Sequence, residues 1–397
     1  MKRVLITGGT GVVGSALTPL FLNEPETEVH LLVRARDVAH LTERRQTLLS
    51  FWGEDVTAAD AGERLRLHRG DVGLPRLGLP DDAFDALAKG LTHVVHSAAT
   101  VRMDMSQEQA WASCVSPVQQ ILTLFERAKE LGAAPKLDAV STLGVAGRLS
   151  GLVPEAARLP PRGFHNSYEW AKAEAEAILL SRIAGGDAIT LHRPSMVVGH
   201  SQSGKVIHRQ IFYHLCRFLS GTATHGFTPD LGGISLDLVP CDYVARAIHW
   251  SATAPEAQGQ ILHLCAGPQG AVPIMALASH VREAYLRHGY GVPKQRLVPF
   301  GLFETAIAGA AFLPGRSGRR FSALRRFLDH VHCAQIFANE QSQALLAPAI
   351  GAAPSYQRIL DAQLDAAFAE EQAGGSADAA GKAAARHTSA VPKGAVS

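Results

Sequence analysis

The chain has 397 residues, 47% of them hydrophobic, with 38 Lys and Arg against 36 Asp and Glu for a formal charge of +2. That length holds two domains or one large α/β domain with an appendage, and the apolar content is ample for a core. The balanced charge excludes a global field for nucleic acid or an anionic membrane, so a small-molecule partner is expected. Five cysteines, Cys114, Cys216, Cys241, Cys265 and Cys333, are widely spaced without a C-x-x-C pair. They read as core residues in a reducing compartment and offer no zinc pattern. No charged and apolar leader precedes the first strand. The apolar stretch Ala306 to Leu313, with Phe300 to Phe303 before it, is broken by Glu304 and falls short of the roughly 18 residues of a spanning helix. A cytoplasmic protein is the expectation.

The first element is the apolar run Val4-Leu5-Ile6, followed at once by Thr7-Gly8-Gly9-Thr10-Gly11-Val12-Val13-Gly14. A buried parallel strand that turns sharply into a helix needs residues without Cβ where the backbone meets a pyrophosphate, and Gly8, Gly11 and Gly14 supply them. The helix that follows, with Val12, Ala16, Leu17 and Leu20 on its apolar face, aims unpaired N–H groups and its positive dipole end at the phosphates. Strand-like runs then recur at Val29–Val33, Leu65–His68, His93–His96, Leu137–Val140 and Ile189–His192. Helical stretches lie between them, among them Asp82–Lys89 and Pro117–Leu131, and this alternation means a doubly wound parallel sheet. Beyond about residue 195, Gly- and Pro-rich joints separate shorter elements, as in a smaller substrate-side region. Helical segments over Phe321–Phe337 and Tyr356–Glu371 precede an Ala/Gly/Ser/Lys-rich tail, Ala373–Ser397, expected to be disordered. No internal repeat is seen.

Tyr168-Glu169-Trp170-Ala171-Lys172 opens a predicted helix, and its spacing of four puts phenol and ammonium on one face. A tyrosine near pKa 10 is a poor proton shuttle at neutral pH; a neighbouring Lys and a nicotinamide's positive charge would lower it. Thr142 lies just past the strand Leu137–Val140, where doubly wound sheets place ligand-binding groups, and its hydroxyl could hold a substrate oxygen.

In this order, Thr7–Gly14, Ser97-Ala98-Ala99, Ser141-Thr142, Tyr168/Lys172 and Arg193-Pro194-Ser195 resemble the extended short-chain dehydrogenase/reductase superfamily over roughly residues 1–265. The resemblance implies a Rossmann fold, with Thr142, Tyr168 and Lys172 catalytic. It also places Asp71-Val72 beside an adenine, Ala98 and Ala99 along the cofactor, and Pro194, Ser195 and Met196 near a nicotinamide. Lys172 would also hold the nicotinamide ribose. Thr10, Val12 and Val13 belong with the glycines to the phosphate loop. A narrower match is carried by Leu32–Ala35, Gly70-Asp71-Val72 with Leu77-Gly78-Leu79, His192–Gly199 with Ser203-Gly204, and Leu238–Ala245. These segments are similar to the thioester reductase and fatty acyl reductase branch, found at the ends of peptide synthetases and carboxylic acid reductases. Ala146 and Arg34 depart from the sugar-nucleotide epimerases, and Ala171 stands where many members have Ser. The expected organisation is an NADP-binding domain over 1–265, with substrate-region insertions at about 200–235. A helical substrate region over 266–372 and the tail 373–397 would follow.

Arg34, at the end of the second strand, favours a 2′-phosphate over a ribose 2′-OH and, helped by Arg36, indicates NADPH; a solvated arginine is the other reading. Asp230–Leu236 resembles a phosphopantetheine attachment sequence but reads better as a glycine turn entering a strand. His96 reads as a core or cofactor-wall residue, and no histidine spacing suggests a metal.

The leading expectation is NADPH-dependent reduction of an acyl thioester to an aldehyde, with the alcohol step and the choice of CoA or carrier protein open. A ketone or secondary-alcohol dehydrogenase needs the same residues, and an NADPH-sensing protein would lack turnover. Ile207, Ile211, Phe212, Leu215, Phe218, Phe303, Phe312 and Phe321 fit either an acyl channel or core packing. The Pro117–Leu131 and Tyr168–Leu180 helices are the candidates for the two-fold interface of a homodimer. Arg316, Arg319, Arg320, Arg325 and Arg326 read as a solvated helix start more readily than as a carrier-docking surface.

Overall fold

A computed structural model describes residues 1–56, 62, 64–312, 321, 325, 328, 334–357 and 359–369. Seven strands form its central sheet: β1 (Lys2–Thr7), β2 (Thr27–Val33), β3 (Leu65–Arg69), β4 (His93–His96), β5 (Lys136–Val140), β6 (Ile189–Pro194) and β7 (Ile261–Leu264). Every pairing is parallel and the order is β3-β2-β1-β4-β5-β6-β7. The chain thus winds outward from β1 in both directions, and the switch point lies between β1 and β4.

Helices α1 (Val12–Leu22), α2 (Val38–Trp52), α3 (Asp81–Ala88), α4 (Gln107–Glu130) and α5 (Ser167–Ala184) follow β1 to β5 in turn. After β6 the chain adds α6 (Ile211–Leu219) and α7 (Cys241–Thr253), and after β7 α8 (Ile274–Arg287), α9 (Phe300–Ala310) and α10 (Glu340–Ile350). Strand alternation separates two core layers. Val4, Ile6, Val29 and Leu31 pack with α1, α2 and α7, whereas Leu5, Val94, Leu137 and Leu191 pack with α3, α4 and α5. A third apolar cluster joins α6, α8, α9 and residues of 359–368 into a smaller lobe.

Six of the seven strands are the expected ones; β7 had no counterpart. The expected helix Pro117–Leu131 begins earlier, at Gln107, because Ser106 and Gln109 form a reciprocal capping box and Pro117 is accommodated inside the helix. Of the expected helix Phe321–Phe337, residues 321, 325 and 328 are helical, but Gln335–Phe337 is a strand paired in parallel with Gly151–Val153. Apart from Ala334, the rest of that segment, including Arg326 and Cys333, lies outside the described residues, as do Arg316, Arg319, Arg320 and the tail. Asp230–Leu236 is a turn: Gly232 N–H donates to Asp230 Oδ1 at 3.0 Å, and Ser235–Leu236 pairs antiparallel with Val272–Pro273. Cys114, Cys216, Cys241 and Cys265 are buried and free.

Two buried polar ties fasten the outer half of the sheet, one within β5 and one at the exit of β7. Asp138, fully buried on β5, accepts from Ser251 Oγ at 2.6 Å and bonds His192 Nε2 at 2.9 Å, fastening β5, β6 and α7. Asp237 accepts from the amides of Ala266 and Gly267, both at 2.9 Å, and joins the segment after β6 to the exit of β7. Burial lifts the Asp237 carboxyl to about 6 against the hydrogen bonds that favour its anion.

A folded-state pKa above the unfolded value means that Asp237 costs no stability below about pH 4 and destabilises as pH rises through 6. Melting curves of Asp237→Asn should therefore show a Tm difference from the parent that becomes more favourable to the variant between pH 4 and 7. A constant difference would dismiss the burial effect. At the glycine turn, a Cβ on Gly14 would stand 2.3 Å from Gly8 O and 2.7 Å from Gly9 Cα, backbone atoms that cannot step aside. Gly14→Ala should cost about 1–3 kcal/mol in denaturant unfolding.

Candidate functional site

The residues expected at the site lie at or just past the carboxyl ends of β1 to β6, except Tyr168 and Lys172, which stand on α5. Gly8 follows β1 with φ +75°, and a Cβ there would meet Ala98 N at 2.7 Å, so the glycine turn lies directly against the backbone that leaves β4. Ala98 N–H also reaches Thr7 Oγ1 at 3.4 Å, and Ala99 follows it. Gly11 N–H donates to Gly8 O at 2.8 Å and Gly11 caps α1, which begins at Val12 and continues through Val13 and Gly14.

The amino termini of α1, α3 and α7 all lack a side-chain cap, but α3 and α7 carry Asp in their first turn and α1 carries no acidic residue. Asp37, Ser106 and Asn166 cap α2, α4 and α5 with side-chain oxygens, whereas Gly11 offers none. Its first amides therefore keep their full donor capacity and the positive end of the helix dipole. This fits a dinucleotide pyrophosphate.

Arg34 and Arg36 are exposed immediately past β2. A third cation, missed from the sequence, stands with them. Arg44 on α2 sends Nη1 to Thr10 Oγ1 at 3.4 Å and Nε to His40 Nε2 at 3.3 Å, while His40 Nδ1 accepts from the Arg36 amide at 3.3 Å. The only sequence signal was a basic residue one turn after His40, and nothing in it said which way α2 turns. Asp71 and Val72 follow β3. Asp71 Oδ1 accepts from Gly73 N–H at 2.9 Å, and its own amide is held by Leu77 O at 2.8 Å within a left-handed run, Arg76, Leu77 and Gly78, with φ of 51°, 61° and 69°.

At the exit of β5, Thr142 caps a short 3-10 turn, its Oγ1 accepting from Gly144 N–H at 3.1 Å. Helix α5 crosses this exit. Lys172, buried, donates Nζ to Val140 O at 2.8 Å, two residues before Thr142. A Cβ on Gly144 would stand 3.4 Å from Glu169 Cγ, so the turn that Thr142 caps touches the residue next to Tyr168. Helix α5 therefore carries the Tyr168/Lys172 segment against the β5 exit and the turn that Thr142 caps. Pro194 ends β6, Ser195 N–H donates to Leu264 O at 3.1 Å, and Met196 opens a short strand parallel to Leu238–Pro240.

The electrostatics correct one expectation. Lys172 does not by itself draw the Tyr168 phenol below its usual value. Burial pushes it upward, helped by Cys114 and Glu169. Lys172 is itself held below the ordinary ammonium value by burial, with Cys114 and then Glu176 opposing that shift. The protein alone thus keeps Tyr168 as a protonated phenol. His96 is buried against Thr7 Oγ1, 2.9 Å from its Nδ1, and burial, then Lys172, pushes it down to about 3, so it is a neutral wall residue.

Phe212, Leu215, Phe218 and Phe303 are fully packed in the core of the smaller lobe, Ile207 packs on the main core, and Ile211 and Phe312 are exposed by 38% and 88%. Core packing accounts for the buried ones, and Phe321 packs against the same cluster. Among the described residues no three His, Cys, Asp or Glu side chains gather as a metal ion needs, and no helix is long and apolar enough to cross a membrane.

Comparison with known proteins places this geometry. The family model described as male sterility protein matches residues 6–248. The chain is 32% identical over 250 residues to the isonitrile lipopeptide synthase of Streptomyces coeruleorubidus, covering 62% of this chain and 16% of that protein. It is 29% identical over 274 residues to the non-canonical nonribosomal peptide synthetase FrzA of Cladobotryum sp, covering 66% and 26% respectively. It thus spans about a quarter or less of these relatives. The crystal structure of the terminal R domain from the myxalamid PKS-NRPS biosynthetic pathway superposes with a TM-score of 0.74 at 26% identity, over 94% of this chain and 90% of that one. An uncapped glycine turn, a Tyr/Lys helix crossing the exit of β5 and a family match over more than half its length lead to one conclusion: the chain belongs to the male sterility protein family of nicotinamide-dinucleotide-binding domains, in the thioester reductase branch of the extended short-chain dehydrogenase/reductases.

Proposed function

We propose that this protein is an NADPH-dependent reductase that converts an acyl thioester to an aldehyde, with Thr142, Tyr168 and Lys172 as its catalytic residues. The observation that carries this reading is that α5 sets the Tyr168/Lys172 pair against the β5 exit bearing Thr142, on the sheet edge where α1 stands uncapped. The synthetase relatives and the terminal R domain support a substrate delivered on a carrier protein, with coenzyme A thioesters as the alternative donor. A homodimer through α4 and α5 belongs to the same reading; exposed Trp111 on α4 packs against Trp170 of α5, ring centroids 5.9 Å apart and planes tilted by 38°.

The bound dinucleotide supplies a hydride to the thioester carbonyl carbon. The chain does the rest. The glycine turn and first amides of α1 would hold the pyrophosphate, Arg34, Arg36 and Arg44 would supply the cations for the 2′-phosphate, Asp71-Val72 would meet the adenine, and Ala98, Ala99 and Pro194 to Met196 would line the rest. Thr142 Oγ1 and Tyr168 Oη donate to the carbonyl oxygen as negative charge grows on it. Because Tyr168 is kept protonated, its phenol is the acid that this oxygen needs. Lys172 orients the nicotinamide ribose and keeps a positive charge near the developing phenolate. The resulting hemithioacetal returns the proton, its C–S bond breaks, and aldehyde and thiol leave. The net change is two electrons and one proton added to the acyl group, with a second proton taken up by the thiolate.

Purified protein offered NADPH with acyl-carrier thioesters, acyl-CoA thioesters, aldehydes and ketones should oxidise NADPH and release free thiol with a thioester. Tyr168→Phe should lower kcat about 100- to 10,000-fold. Turnover of ketones alone would assign the protein to carbonyl reduction, and tight NADPH binding without turnover would make it a sensor. Arg34→Ala and Arg44→Ala should each weaken NADPH by roughly 10- to 100-fold in calorimetric titration and leave NADH affinity within a factor of about two, the effect of losing one charge-assisted phosphate contact. Equal losses for both dinucleotides would remove the 2′-phosphate assignment.

A further inference from the structure

Helix α5 carries a third polar residue on the face of Tyr168 and Lys172. Glu176 lies one turn beyond Lys172, is 4% exposed, and is the partner of Arg193, which at 1% exposure is the largest fully buried side chain described. Arg193 grips both carboxylate oxygens, Nε to Oε2 at 3.1 Å and Nη2 to Oε1. Ser141 Oγ donates to Oε2 at 2.7 Å. The remaining guanidinium donor, Nη1, reaches Ala156 O at 2.9 Å and His263 Nε2 at 3.3 Å. His263 Nδ1 lies 2.7 Å from Ala338 O, a pure acceptor, so this nitrogen carries the proton and Nε2 accepts from Arg193.

The register of these bonds gives them a role. Val140, Ser141 and Thr142 are consecutive. The first holds Lys172, the second holds Glu176, and the third carries the hydroxyl at the site. Helix α5 is thus pinned one turn apart to two successive residues of the β5 exit, which sets both its rotation and its position along its axis. The loop that returns from Thr142 to α5 is held from the same centre, through Ala156 O and through the strand Gln335–Phe337 laid along Gly151–Val153.

We propose that Glu176, with Ser141 and Arg193, is a positioning residue for the reduction: it fixes where Tyr168 and Lys172 stand relative to Thr142. This rests on the reading of those three residues as catalytic. A second consequence is electrostatic. The charged and titratable groups that influence Lys172 are Cys114 of α4, His96 of β4 and Glu176 of its own helix, and Glu176 is the carboxylate among them. It favours the ammonium form against burial. A pair that served stability alone would leave both the chemical step and the Lys172 proton untouched.

Ser141→Ala removes the tie to β5 and leaves the ion pair whole; Glu176→Gln keeps the shape and removes the charge. With the substrate that the parent turns over, Ser141→Ala should lower kcat about tenfold or more while KM and NADPH affinity stay within about twofold, because misplacement acts on the chemical step. Glu176→Gln should lower kcat further. In free protein labelled with ¹³C at lysine Cε, with the signal assigned by Lys172→Arg, it should move the Lys172 titration down by about half a pH unit or more. This second readout needs no substrate, so it stands if thioester reduction itself fails. Should Glu176→Gln not fold, Ser141→Ala with Glu176→Asp, which retains the charge and should keep the Lys172 titration near the parent value, carries the test. Parent-like kcat in folded Ser141→Ala, or an unmoved Lys172 titration in folded Glu176→Gln, would overturn the proposal.

Discussion

A guanidinium that cannot reach water is the constraint around which this site is arranged. Moving a cation into the interior costs several kcal/mol unless every donor is met and an anion sits beside it. Arg193 stands at the carboxyl end of β6, next to the outermost strand, and its partners come from α5, from the loop after the Gly151–Val153 strand and from β7. Satisfying one side chain thus requires helix, loop and outer strand to be in place together. The same requirement reaches the chain's later residues, since His263 N–H donates to Ser342 Oγ at 2.7 Å and Glu155 accepts from the amides of Gln341 and Ser342 at the start of α10.

The cofactor half follows a different logic. There the operative quantity is space and unpaired donor capacity. Gly14 packs against the backbone of Gly8 and Gly9, and Gly8 packs against Ala98, so β1, α1 and β4 meet at van der Waals distance with no side chain between them. The amides at the head of α1 are then the polar groups left to be satisfied, and the switch point puts the exits of β1 and β4 on either side of the crevice. One edge of one sheet therefore offers an anion-binding end beside β1 and a hydroxyl-lined, buried end beside β5 and β6.

The site was legible where chemistry and chain proximity coincide. The glycine spacing, the Tyr168/Lys172 spacing and the position of Thr142 after an apolar run are local patterns, and the structure sets the glycines at a strand-to-helix turn, the pair on one helix and Thr142 just past β5. Residues that act across the fold were not legible. Arg44 is a basic residue in an amphipathic stretch until α2 is laid over the glycine turn, and Glu176 is one of several acidic positions on α5 until Arg193 comes beneath it. The electrostatic error has the same origin: four-residue spacing suggested that Lys172 would depress Tyr168, but burial acts on both groups and outweighs their proximity. The start of α4 lies before Pro117 because the reciprocal capping box of Ser106 and Gln109 opens the helix at Gln107 and Pro117 is accommodated within it. The strand at Gln335–Phe337 takes its form from pairing with Gly151–Val153, some 180 residues earlier, and carries no periodicity long enough to announce itself.

By itself the sequence determined the class of fold, because buried parallel strands must be apolar on both faces and their crossover helices on one, a pattern written in neighbouring residues. It also determined the chemistry on offer, since glycine, tyrosine, lysine and threonine are the groups that such a reaction uses. Tertiary structure alone decided which charges meet, which hydroxyl and amine share the exit of β5, and whether the apolar residues of the smaller lobe line a channel or fill a core. Those outcomes depend on distance and dielectric between residues far apart in the chain, and neither quantity exists until the elements are packed.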